Sequence, residues 1–143
     1  MNRFSRDGVA WFLRITLAAG FLSAVADRFG MWGLPGAPGV AWGEWGAFLG
    51  SVARLNWFAP AFLIPPLAWI ATAAEVALAI ALLVGWKLRW TAIASGLLLL
   101  AFALTMTMAD GIKGPLDYSV FTAAAAAFGL AALADPHPSA SRS

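Results

Sequence analysis

The chain has 143 residues, of which 62% are hydrophobic and only 11% charged, and its mean hydropathy is +0.80. A soluble domain is typically about 45–50% apolar and about 25% charged, so lipid is the expected solvent for most of this chain, as one small helical membrane domain over residues 1–143. A net charge of +2 with no clustered basic footprint excludes nucleic-acid binding, and the absence of cysteine excludes thiol relays, disulfides, iron–sulfur clusters and Cys-based zinc sites.

Four apolar runs stand out, at about residues 9–26, 67–86, 90–109 and 118–133. Each approaches the roughly 20 residues that a helix needs to cross roughly 30 Å of hydrocarbon. No strand-like alternation persists, so helices are the only spanning solution. The expected fold is an all-α integral membrane four-helix bundle. In the first run, Arg3 and Arg6 ahead of an apolar stretch and Ala24-Val25-Ala26 also fit a signal peptide, but Arg14 interrupts the stretch. The fourth run is short and alanine-rich, which favours packing inside the bundle over exposure to lipid.

The connection at residues 27–66 is long, with four tryptophans and five prolines. A loop of this length has structure or function of its own. Trp42, Trp45, Leu49 and Val52 repeat at helical spacing, with Glu44, Ser51 and Arg54 opposite. The pattern predicts an amphipathic segment lying at the membrane interface, against the alternative of an irregular cap over the bundle. Basic residues orient the chain. With the N-terminus inside, Arg3, Arg6, Lys87, Arg89 and Arg142 are cytoplasmic, and Arg28, Arg54 and Lys113 lie outside. Both termini are expected in the cytoplasm.

Glu75 lies at the centre of the second run, where an acidic residue costs about 2.5–3.5 kcal/mol to insert. Such residues face the bundle interior and mark a pathway, a ligand or a fixed ion pair. Ala68, Ala71, Thr72 and Ala79 share its helix face and allow close helix approach. Two environments are open: an ion pair with Arg14, or hydrogen bonds to Thr105, Thr107, Tyr118 or water. Arg14 and Glu75 lean in opposite directions along the membrane normal, which works against the pair. A second polar group collects at the outer side. Asp27, Arg28, Asp110 and Lys113, with Asp117, Tyr118, Trp32 and Trp57, are candidates for the mouth of a cavity leading to Glu75. Asp117 also suits a helix N-cap. The single histidine, His137, lies in the polar tail, which argues against a His-ligated haem within the membrane. No metal motif, nucleotide loop or nucleophile–base triad is present.

Leu13-Arg14-Ile15, Gly20-Phe21-Leu22, Asp27-Arg28-Phe29-Gly30, Glu75, Gly85-Trp86-Lys87-Leu88-Arg89 and Pro115-Leu116-Asp117-Tyr118 together resemble the DoxX-like membrane protein family. The resemblance implies a four-helix bundle in a bacterial inner membrane. Its name-giving relatives resemble small subunits of quinone-linked sulfur-oxidising enzymes. With no covalently bound cofactor, electrons would have to travel on a bound quinone or on a partner's cofactor. Three readings follow: a quinone-associated subunit of a membrane oxidoreductase, using Glu75 or Tyr118; a non-catalytic scaffold whose outer loop binds a redox or other membrane partner; and a small proton-coupled transporter that would have to form a homo-oligomer.

Overall fold

Residues 2–135 are described by a computed structural model; His137 and Arg142 lie outside them. The elements are α1 (Arg3–Arg28), α2 (Trp45–Leu55), a 3-10 turn (Ala61–Leu63), α3 (Ile64–Val84), α4 (Leu88–Asp110), α5 (Lys113–Asp117) and α6 (Val120–Leu133). Among the described residues there is no strand.

Local chemistry sets the helix ends. Asn2 caps α1 by accepting from the Ser5 amide at 2.8 Å. Pro65 and Pro66 sit in the first turn of α3, where their missing N–H groups cost nothing. Gly85 ends α3 at φ 77°, a conformation that costs other residues a clash at Cβ. The three helices α1, α3 (extended back through its 3-10 turn to Ala61) and α4 are long and apolar enough to cross a membrane. Helix α6 has 14 residues, or about 21 Å of rise, which is shorter than the hydrocarbon core.

These three helices and the shorter α6 pack side by side, α1 on α3, α3 on α4, α4 on α6 and α6 back on α1. Their shared core is built from Leu17, Ala18, Phe21, Ala79, Leu82, Ala92, Ala127, Leu130 and Ala131. So many alanines let backbones approach closely, which is how helices gain van der Waals contact where lipid removes the hydrophobic drive. Only one face of α6 is inward, through Ala124, Ala127, Leu130 and Ala131.

The connection at residues 27–66 folds as a cap over one end of the bundle. Helix α2 is present but begins at Trp45, and it packs against α3, α4 and α1. Its inward residue is Phe48, which the Trp42, Trp45, Leu49, Val52 stripe leaves out. Trp42 precedes the helix and donates its indole N–H to Ser51 Oγ at 3.0 Å. Gly43 is tightly enclosed: at φ 73°, a Cβ there would stand 2.5 Å from the Pro35 nitrogen. The capped end therefore carries the cap and the α4–α5–α6 corner. The opposite end, here the turn end, carries the N-terminus of α1 and the α3–α4 turn.

Candidate functional site

Glu75 is buried on α3, 3% exposed, and its partner is Arg28 at the last position of α1, 2% exposed. Arg28 Nη1 lies 2.5 Å from Glu75 Oε2 and donates to Thr72 Oγ1 at 2.6 Å. Thr72 in turn donates to the Ala68 carbonyl at 2.8 Å, one turn back on α3. The carboxylate contact is an ion pair without hydrogen-bond alignment. Glu75 Oε2 and Arg28 Nε are both buried with no hydrogen-bond partner in the protein. Side-chain direction explains the pairing. Helical side chains lean toward their own N-terminus. On α1 that carries Arg28 from the capped end into the bundle, and on the antiparallel α3 it carries Glu75 up to meet it.

Aromatic rings close over this pair. The Arg28 guanidinium carbon lies 3.9 Å from the Phe48 ring centroid and 5.5 Å from that of Trp42. Trp45 sits 5.5 Å from Phe29 and 4.2 Å from Trp69, centroid to centroid. A cation against ring faces gains electrostatic attraction, and more when water is excluded. Asp27, one residue before Arg28, holds the other side of the cap. Its Oδ2 accepts from the Ala41 amide at 2.8 Å, and its Oδ1 accepts from the Trp42 and Gly43 amides at 2.9 Å each. Three successive backbone donors thus converge on one carboxylate, and charge-assisted bonds of this kind are the strong ones. Adjacent residues on α1 therefore bind two parts of the molecule, Arg28 the bundle and Asp27 the loop.

A family model, methylamine utilisation protein MauE, matches residues 6–117. The chain belongs to the MauE family. It is a membrane protein with transmembrane helices. No curated protein and no solved structure matches it. The match runs from α1 through α5 and includes Asp27, Arg28, Thr72 and Glu75. It overturns the resemblance to DoxX. The short motifs behind that resemblance have local causes that any small helical membrane bundle shares: Gly85 is a helix C-cap, and the Gly30 that closes Asp27-Arg28-Phe29-Gly30 is a tight turn at φ 74°.

The remaining candidates lie apart from Glu75. Arg14 is not its counter-ion. It donates to the carbonyls of Leu82 and Leu83 at 2.7 and 2.8 Å, and stacks 3.7 Å over the Trp11 ring. Those carbonyls end α3 and have no intrahelical partners, so a guanidinium there also meets the negative end of the helix dipole. The leaning that brings Arg28 to Glu75 takes Arg14 the other way. Thr105 and Thr107 bond carbonyls of their own helix, Phe102 and Ala103. Tyr118 is 76% exposed and does not reach the interior.

The expected outer mouth is not assembled. Asp27 and Arg28 are buried, while Asp110 pairs with Arg54 and Lys113 with Asp117 on the surface. Asp117 ends α5 and does not cap α6, whose N-cap position is Ser119. Trp57 is exposed beside Phe58, and Trp32 folds back along α1 to donate to the Ser23 carbonyl at 3.1 Å. Two surface hollows lie at the turn end, and Glu75 lines neither. Among the described residues, no group of His, Cys, Asp or Glu could hold a metal ion.

Proposed function

We propose that this protein is a non-catalytic membrane accessory of a methylamine-utilisation system, and that it acts by presenting its cap to a partner protein. The family description supplies the system. The observation that carries the mode of action is the Asp27 clamp beside the Arg28–Glu75 pair, which fixes a loop long enough to be mobile. The cap exposes Met31 and Leu34, each 78% accessible, and this apolar surface suits a protein contact. In this reading α1, α3, α4 and α6 all cross a bacterial inner membrane as one domain. Both termini are cytoplasmic and the cap lies on the outer face. The basic residues at the turn end support that orientation. The test is complementation. In cells lacking the chain, wild type restores growth on methylamine, whereas Asp27→Ala, present in the membrane at the wild-type level, does not. Full restoration by Asp27→Ala would remove the fixed cap from the function.

A second reading places a quinone carbonyl at the pair. Arg28 Nε favours it, because a buried N–H without a partner calls for an acceptor such as a carbonyl oxygen. Quinone titration of wild type and Glu75→Gln separates the two readings. A quinone site predicts weaker binding by the variant, and the accessory reading predicts no saturable binding by either.

A further inference from the structure

The turn end holds a groove that the cap and its ion pair leave unexplained. Ala77 and Ala81 of α3 and Ala94 of α4 form its floor, Trp86 and Trp90 its walls, and Lys87 its mouth. It is an open surface groove of about 520 Å³. Both tryptophans are more than half exposed, as in the aromatic belt at a membrane surface.

Charge at the mouth is unbalanced. Among the described residues Lys87 forms no salt bridge, its ammonium lying 5.1 Å from the Trp86 ring centroid, and the first turn of α4 contains no acidic residue. Its basic neighbours are already engaged: Arg89 pairs with Asp135 at 2.5 Å, and Arg14 is bound to the carbonyls that end α3. The same end carries Arg3 and Arg6, against only Asp7 and Asp135 as acids. An ammonium at interface depth above an apolar trough between two indoles matches a molecule with an anionic head and a hydrocarbon tail.

We propose that this groove binds one anionic phospholipid, its acyl chain lying along α3 and α4 and its phosphate on Lys87. The site is independent of the partner function above, since it lies at the other end of the bundle. The test is native mass spectrometry of delipidated protein with phosphatidylglycerol or phosphatidylcholine. Wild type should retain one phosphatidylglycerol with roughly fivefold preference, the share expected of one basic residue at a membrane surface. Lys87→Gln should lose the preference and keep weak binding of both lipids. Ala81→Leu with Ala94→Leu, which fills the floor, should lose both. Lys113→Gln, a lysine at the capped end, should behave as wild type. Equal retention of the two lipids by wild type, or an undiminished preference in Lys87→Gln, would overturn the proposal. So would a wild-type dimer that the floor-filling variant dissolves, which would assign the groove to a second copy of the chain.

Discussion

The two ends of this molecule use charge in opposite ways. At the capped end Asp27 and Arg28 are buried and spend their charges inward, on three loop amides and on Glu75. At the turn end the charges stay at the surface, on Lys87, on the Arg89–Asp135 pair and on Arg3 and Arg6. The turn end needs only a short connection, which Gly85 and a left-handed Lys87 provide. The capped end has to hold some forty residues of loop, and lipid-exposed irregular backbone is not tolerated. Interior charge is costly, but it binds at fixed points, which the aromatic contacts of the cap do not supply by themselves.

The sharpest way to break this contrast is to remove one member of the buried pair. Glu75→Leu leaves Arg28 buried without its counter-charge and should destabilise the fold by about 3–5 kcal/mol. Adding Arg28→Met should recover most of that loss. Thermal unfolding in detergent of both single variants and the double variant reads the cycle. A Glu75→Leu protein as stable as wild type would show that the pair holds nothing. Next is the clamp. Asp27→Asn keeps the shape but gives up the charge that three amides share, at a cost of about 2–3 kcal/mol. Its signature is faster hydrogen exchange at Ala41, Trp42 and Gly43, with α3 and α4 unchanged. Uniform exchange across the chain would mean that cap and bundle are one cooperative unit.

Smaller effects are expected at the turn end. Arg14→Leu removes two bonds to the final carbonyls of α3 and should cost about 1–2 kcal/mol, seen as fraying of that helix end in exchange measurements. Arg89→Gln should cost less than about 1 kcal/mol, because both partners of its pair are half-exposed and screened. Should Arg89→Gln prove more costly than Asp27→Asn, the assignment of structural charge to the capped end would be wrong.

Much of this molecule was legible in the order of its residues. Apolar runs of near-bilayer length locate α1, α3 and α4 to within a few residues at most ends, because hydrocarbon demands both length and the absence of charge. The interior position of Glu75 was legible for the same reason, together with the alanines on its face. The extension of α1 from residue 9 back to Arg3 was less so, because Arg3 and Arg6 look like flanking charge, although Asn2 is a readable cap. Helical spacing indicated α2, but the face that turns inward was settled by Phe48 reaching Arg28, a contact between positions far apart in the chain. The partner of Glu75 also depended on tertiary structure. Sequence reasoning weighs Arg14 as the counter-ion and passes over Arg28, although the opposed leanings of antiparallel helices are a usable signal for it. The decision required knowing that α1 and α3 pack together and that the loop covers the pair. The same holds for the mouth expected from Asp110, Lys113, Asp117 and Tyr118. Residues at one membrane level are not thereby neighbours, since sequence gives depth along the helix axis while only packing gives position around the bundle.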